Sequence, residues 1–289
     1  MRKVAVLTDS ASDIPYDMQK EYGVDILPFV ITVDGKSYVE RKDLDFEQYY
    51  DLLTTCEGIP STAHITMMQF LDAFCKYDDA GYTDILYVAI NAGGSNTYDA
   101  ARMAATEFST EERPDSRLKI HIVDSHTYSM TYGWHVCQAA AKLKNGAEMS
   151  DVIVYLEEQF ASMEVALSVF TLRFIKKSGR VSAAAAFAGE LLGLRPIITI
   201  IDGETATAAK VRGDNAVMPG LIAHVKKRIA DDGIYMVGTT DLKNGKMLAQ
   251  MCKQEFGRAP KCIFLLGAAV ATNTGPNAVA IVFNGKKRR

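Results

Sequence analysis

Two rhythms of apolar residues alternate along this chain: short runs of aliphatic and β-branched residues, and longer stretches whose apolar positions recur every three or four residues. The first suits strands and the second suits one-sided helices. The opening run Lys3–Leu7 ends at Thr8-Asp9-Ser10, and Ser12-Asp13-Ile14-Pro15 then offers capping residues and a proline fit for an early helical position. Ile26–Val33 and Lys36–Val39 flank Asp34-Gly35, a dipeptide that favours a two-residue hairpin turn. Helical periodicity covers Phe46–Thr55 and Met67–Tyr77, and a strand at Asp84–Ile90 leads through Gly93-Gly94 into a helix over Ser95–Phe108. The strand Lys119–Val123 runs through Asp124-Ser125-His126 into a helix at Tyr128–Lys144, with another from Ser150 to Ser162. Strands and helices alternating at this spacing predict a parallel sheet covered on both faces.

From Val165 the pattern changes. A strand to Val169 precedes two short helical stretches, Leu172–Lys177 and Ala183–Leu192, and then the strands Pro196–Ile201 and Thr205–Val211, which meet at Asp202-Gly203 as an antiparallel hairpin. Helix Ala216–Ala230, strand Tyr235–Thr239, helix Lys243–Phe256, strand Cys262–Leu266 and a last strand Val279–Phe283 complete an α+β half. A chain of 289 residues exceeds what one hydrophobic core usually supports. The expected architecture is therefore α/β with two domains, a mainly parallel N-terminal domain with a small β-hairpin over residues 1–160 and an α+β domain over 161–289, with a ligand cleft between them.

Composition narrows the function more than the fold. An apolar fraction of 48% against 23% charged residues marks a folded globular chain. A net charge of -3 provides no basic field for nucleic acid, and the terminal Lys286-Lys287-Arg288-Arg289 reads as a solvated tail. The residues after Met1-Arg2-Lys3 are too few and too quickly polar for a secretory signal, and no apolar run reaches the length of a membrane span. Five cysteines, an odd number with no pair at C-x-x-C spacing, fit a reducing cytoplasm without disulfides or structural zinc.

Candidate chemistry gathers where strands pass through small residues into helix starts, because unpaired N–H groups and the helix dipole attract anions there. Three such turns, Thr8-Asp9-Ser10, Gly93-Gly94-Ser95-Asn96-Thr97 and Asp124-Ser125-His126-Thr127, would share one edge of a parallel sheet and could converge on a ligand head group. Taken singly, Ser95 and Ser125 read as helix caps. A fourth stretch, Pro60-Ser61-Thr62-Ala63-His64, adds another hydroxyl pair before the helix at Met67. Neither a phosphate-loop motif nor a strand followed by G-x-G-x-x-G is present. Asp124, Ser125 and His126 are adjacent in an extended segment and point alternately, so they cannot form a triad among themselves. The five histidines show no metal-ligand spacing and read as surface or satisfied polar residues. Two other functions stay open at this point: an acyl hydrolase or transferase with Ser95 as nucleophile, and a binder of small phosphorylated metabolites.

Several separated segments resemble one family. Thr8-Asp9-Ser10-Ala11-Ser12-Asp13-Ile14-Pro15 is similar to a D-S-T-A-D-L-P opening, and Ile90 to Ala101 is similar to I-S-S-x-L-S-G-T-Y-x-x-A, with Ser95, Thr97 and Tyr98 matched. Thr171-Leu172 with Lys177-Ser178-Gly179-Arg180, Leu194-Arg195-Pro196-Ile197-Ile198, Lys210-Val211-Arg212 and Ala271-Thr272-Asn273-Thr274-Gly275-Pro276 continue the match in order. The chain thus resembles the DegV family over nearly its whole length. That resemblance implies a cytoplasmic bacterial protein that holds a long-chain fatty acid such as palmitate between two domains, in lipid transport or fatty acid metabolism, without catalysis, cofactor or metal of its own. It also implies that Thr62 and Ser95 hold the carboxylate, with Asn96, Thr97 and Asn273 as further head-group contacts. Some members serve as the acyl-presenting subunit of a bacterial fatty acid kinase, whose active site is on the partner.

The physical chemistry of such a site is consistent with those residues, since two O–H donors and helix-start N–H groups can satisfy a carboxylate without a buried lysine or arginine. Burying about 14 methylenes at ~0.8 kcal/mol each supplies roughly 11 kcal/mol gross, before ordering costs. The chain departs from the family pattern at Ala63 and His64, at Asn96 in place of a glycine, and at Asn273 in place of a histidine. Asn tolerates the left-handed backbone better than most residues but cannot become cationic. Arg173, Lys176, Lys177 and Arg180 would form part of any kinase-docking surface, or else a solvated helix face.

Overall fold

The computed structural model describes residues 2–179 and 193–286. The helix expected at Ala183–Leu192, Arg180 and the end of the basic tail lie outside the described residues. Two larger sheets and one small one organise the rest. In the first, β1 (Val4–Asp9), β2 (Asp25–Leu27), β6 (Asp84–Ala89) and β7 (Lys119–Asp124) are all parallel, in the order β2-β1-β6-β7. Every residue of β6 is buried, the reading expected of a strand covered on both faces. Helix α3 (Met67–Asp79) packs beside α4 (Thr97–Glu107), while α5 (Met130–Lys144) packs against α1 (Tyr16–Tyr22) and α6 (Met149–Ser162).

The apolar run read as one strand from Ile26 to Val33 is two. Pro28 has no N–H to give a ladder, and the chain leaves the parallel sheet after β2 to begin β3 (Val30–Val33) in another. β3 pairs antiparallel with β4 (Lys36–Val39) and with β5 (Ser61–Ala63), a strand too short for periodicity to reveal. The intervening Asp34 and Gly35 both take positive φ, 45° and 81°, as a primed two-residue turn demands. α1 is not capped by Ser12 or Asp13. Pro15 occupies its N-cap, and Asp13 sits in the left-handed region with its carboxylate engaged elsewhere.

The second sheet runs β10-β9-β8-β13-β11-β12, built from β8 (Met163–Val169), β9 (Leu194–Ile201), β10 (Glu204–Arg212), β11 (Tyr235–Thr239), β12 (Ile263–Leu265) and β13 (Ala278–Asn284). On one face, α8 (Val217–Arg228) and α9 (Leu242–Phe256) bury Leu221, Val225 and Leu248 against Val237, Val279 and Ile281. The other face joins Leu167, Ala280 and Val282 to the core of the first sheet. Two short helices sit at this junction: α7 (Arg173–Ser178), and α10 (Ala268–Thr274), whose run of small residues carries no amphipathic period and reads as loop in the sequence.

What fastens α10 across the junction is a pair of buried carboxylates. Asp13 accepts a hydrogen bond from the Gly267 N–H at 2.8 Å and Glu40 accepts one from the Ala269 N–H at 3.1 Å, so acids of the first half cap a helix of the second. Ser129 donates to Asp13, and Ser10 Oγ lies 2.5 Å from Glu40 while accepting from the Phe29 N–H at 2.9 Å. From α2 (Phe46–Thr55), Tyr49 shares a hydroxyl contact of 2.5 Å with Thr272 beside this cap, and Tyr50 donates to the Leu266 carbonyl. Arg173 donates to the carbonyls of Glu57 at 2.6 Å and Gly58 at 3.0 Å, closing the same seam from α7.

A β-carbon on Gly267 would stand 2.7 Å from Asp13 Oδ1 and 2.8 Å from Glu40 Oε1, although its φ of -67° suits any residue. Gly267→Ala should therefore lower the free energy of unfolding by about 1 to 3 kcal/mol through the displaced buried hydrogen bonds, measured by denaturant titration. Burial raises Glu40 from its usual 4.5 to about 7, against the lowering effect of its Ser10 and Ala269 hydrogen bonds. The folded chain then holds this proton more tightly than the unfolded chain does, so the stabilisation is full below pH 4.5 and is lost as pH rises through about 7. Glu40→Gln, which keeps both hydrogen-bonding ends, should remove roughly 3 kcal/mol of that decline between pH 5 and pH 8 in paired unfolding curves.

Candidate functional site

A cavity of about 350 Å³ lies between the loops at the carboxyl edge of the first sheet and the inward face of the second. Its volume falls in the range of small-molecule sites. One wall is aliphatic: Val165 and Leu167 from β8, Ile200 from β9, and Ala278, Ala280 and Val282 from β13. The polar part of the lining includes Thr62, His64, Ser95, Asn96 and Asn273. Among the described residues, no aspartate, glutamate, lysine or arginine lines it. The polar side chains are thus neutral donors and acceptors plus one imidazole.

Each polar residue is held by a local reason. Strand β5 presents Thr62 through its pairing with Ile31 of β3, and among the described residues no protein group takes the Thr62 hydroxyl. The cap of α3 is Thr66, which forms a capping box with Gln69, so the Thr62 hydroxyl takes no part in that helix start. Ser95 precedes α4; its Oγ lies 2.8 Å from Thr97 Oγ1 and accepts from the Thr97 N–H at 3.3 Å. Thr97 is wholly buried and is not among the residues that line the cavity; it holds Ser95 from behind. Asn96 takes the N-cap with φ of -70° and makes no side-chain capping bond, so its left-handed tolerance goes unused. On α10, Asn273 lines the cavity and its Nδ2 donates to the Ala269 carbonyl at 2.8 Å, so its side-chain oxygen is not used in that bond.

The three turns at the sheet edge do come together, but only the middle one offers its hydroxyl to the cavity. Thr8 donates to the Val88 carbonyl at 2.8 Å, and Ser10 is engaged with Glu40. Ser125 is fully buried and closes its own turn through the Thr127 N–H and carbonyl, each at 3.3 Å. The acids of the outer turns act as struts. Asp9 accepts from Tyr132 at 2.6 Å, the Ile90 N–H at 2.8 Å, the Ala11 N–H at 3.1 Å and Tyr87 at 3.2 Å, and burial still raises it to about 6. Asp124 receives the N–H of Ala92 at 3.2 Å and that of His126 at 2.9 Å. The loop bearing Ser95 is therefore fixed from both sides by carboxylates that never touch the cavity. Acids withdrawn from solvent keep their hydrogen bonds, and those bonds hold the turns in place.

The remaining histidines are dispersed. His121 lies 3.4 Å from Asp84, His126 lies 3.2 Å from Asp124, and His135 is buried 2.9 Å from Tyr155 Oη, with burial lowering it to about 4. No group of three metal-ligating side chains occurs among the described residues. His64 is exposed and also lines the cavity together with Thr62. His64 follows β5, which ends at Ala63 and is too short for periodicity to reveal, so its place beside Thr62 leaves no trace in the sequence. Tyr128 and Ser129 also line the cavity, ahead of the predicted helix that begins only at Met130. All five cysteines are free thiols, and no helix of the described residues is long and apolar enough to cross a membrane.

Comparison with known proteins follows the same geometry. A curated DegV domain-containing protein of Clostridium perfringens is 30% identical over 283 residues, covering 97% of this chain and 98% of its own. A stearic acid-binding protein from Eubacterium ventriosum shares the fold with a TM-score of 0.88 at 22% identity, over 99% of both chains. The fatty acid binding DegV family protein of Streptococcus agalactiae has a TM-score of 0.86 at 25% identity, over 99% of this chain and all of its own. The family profile described as uncharacterised protein, DegV family, matches residues 3–286. With that profile spanning residues 3–286 and a relative 30% identical over 97% of the chain, this chain belongs to the DegV family.

Proposed function

We propose that this protein binds one long-chain fatty acid, such as palmitate, in the inter-sheet cavity and carries or presents it in lipid transport or fatty acid metabolism. The observation that carries the reading is the pairing, in one cavity, of neutral hydroxyl and amide groups with an aliphatic wall. Thr62 and Ser95 hold the carboxylate, Asn96 and Asn273 supply secondary contacts, and the acyl chain lies against β8 and β13. Residues 1–160 carry the head-group site and residues 161–289 complete the acyl-chain wall. Structures described as fatty acid binding or stearic acid-binding among the fold's neighbours support the same ligand class.

The same arrangement disfavours the two other functions. A nucleophilic serine needs a base within hydrogen-bond reach, and the side-chain partner of Ser95 is the Thr97 hydroxyl. A phosphorylated metabolite would set two negative charges against neutral donors and gain little from Val165, Leu167 and Val282. The role is therefore non-catalytic, with the fatty acid as ligand and without a cofactor. The free thiols suit a cytoplasmic setting. Arg173 is turned to the Glu57 and Gly58 carbonyls, so a kinase docking near α7 would meet Lys176 and Lys177 instead.

Organic extraction of the denatured protein after exposure to mixed lipids should release a stoichiometric fatty acid, identified by mass spectrometry. Thr62→Ala and Ser95→Ala should each weaken palmitate binding by about 1 to 3 kcal/mol, the cost of a carboxylate left short of one donor. Calorimetric affinities that match the unsubstituted protein in both variants would remove these residues from the site.

A further inference from the structure

One row of the second sheet places a glycine beneath a phenylalanine ring at the edge of the cavity. Register places Leu167, Ala280, Gly238 and Phe264 in one row across β8, β13, β11 and β12. Side chains directly opposite on neighbouring strands share a face, so this row has the sizes large, small, none and large. Ala280 leaves a trough, and Gly238 would continue it toward the sheet edge. That continuation is filled by a ring: a β-carbon on Gly238 would meet Phe264 Cζ at 2.7 Å and Cε2 at 3.0 Å. Phe264 is 2% exposed and lines the cavity from β12, the last strand of the sheet, whereas no residue of β11 does among those described.

The polar end lies toward the opposite edge. Asn91, at the start of the loop bearing Ser95 and Asn96, abuts the turn between β9 and β10, where a β-carbon on Gly203 would sit 2.5 Å from its Nδ2. β9 and β12 are four strand spacings apart in the sheet order, about 19 Å at ~4.8 Å each. A ligand anchored at Ser95 and lying across the sheet would thus run over Val165 and Ala280 and end against the Phe264 ring.

We infer that Phe264, seated over Gly238, is the residue that stops the methyl end of the acyl chain and sets the greatest length the cavity accepts. This rests on the fatty acid reading above, with the carboxylate at the Ser95 end. A shorter side chain at position 264 would free the slot over Gly238, one strand spacing or about four methylenes of extended chain. A larger side chain at 280 would block the trough before that slot.

The test offers the lipid-stripped full-length protein an equimolar series of saturated acids from laurate to behenate, repurifies it and reads the bound distribution by mass spectrometry. Phe264→Ala should move the upper limit longer by about four methylenes and Phe264→Leu by about two, while Ala280→Leu should move it shorter. Folding is checked by circular dichroism, and if Phe264→Ala does not fold, Phe264→Leu and Ala280→Leu decide. A distribution unchanged from the parent in the folded variants overturns the assignment of Phe264. Retention of no acid of any length by the parent protein overturns the fatty acid reading, and this assignment with it.

Discussion

Two buried carboxylates on the start of one short helix hold this structure in the form that makes a cavity possible. Asp13 and Glu40 come from the first half of the chain, while the N–H groups of Gly267 and Ala269 come from the second. A fully buried acid is costly without partners, and here each gains hydrogen bonds from a serine and from an otherwise unpaired helix terminus. Burial raises Glu40 to about 7 and Asp13 well above its usual value, with the neighbouring Glu40 adding to the rise in Asp13. The Arg41 guanidinium, hydrogen-bonded to the Ile14 carbonyl at 2.9 Å and to Gln19 at 2.8 Å, offsets part of that cost from the same loop. The absence of a side chain at Gly267 lets both acids approach the same backbone.

The cavity depends on that junction because its two walls belong to different sheets. α10 follows directly from the cap and carries Ala269, Val270, Asn273 and Thr274 into the lining. The loop with Ser95 is braced by Asp9 on one side and Asp124 on the other. Among the described residues, charge is thus kept in the frame while the cavity itself is left with neutral donors, an imidazole and aliphatic surface. Such a division suits a ligand whose own charge is single and whose mass is hydrocarbon, since desolvating it requires few hydrogen bonds and much apolar area.

Much of this was legible in the residues. The β-branched runs and helical periods located β1, β6, β7 and β11 and most of the helices, and Asp34-Gly35 and Asp202-Gly203 announced primed turns that the structure forms with positive φ at all four residues. Hydroxyls at Thr62, Ser95 and the turn around residue 125 were equally visible. Hidden was which of them would be engaged by the protein itself. Ser125 closes its own turn and Ser10 serves Glu40, whereas Thr62 and Ser95 reach the cavity. A hydroxyl's sequence neighbours do not reveal its spatial partners, so cap and ligand contact look alike until the chain is folded.

The sequence by itself determined the alternation of strands and helices, the tight turns and the DegV pattern of motifs, because these depend on local backbone preference and on residue order. Only the tertiary structure decided that Ile26–Val33 splits between two sheets at Pro28, and that α10 forms from a run of small residues whose first N–H groups are capped from more than two hundred residues away. It also decided that His64 joins Thr62 at the cavity and that Phe264 lies over Gly238. Each of these depends on contacts between residues distant in the chain, and such contacts leave no periodic trace along it.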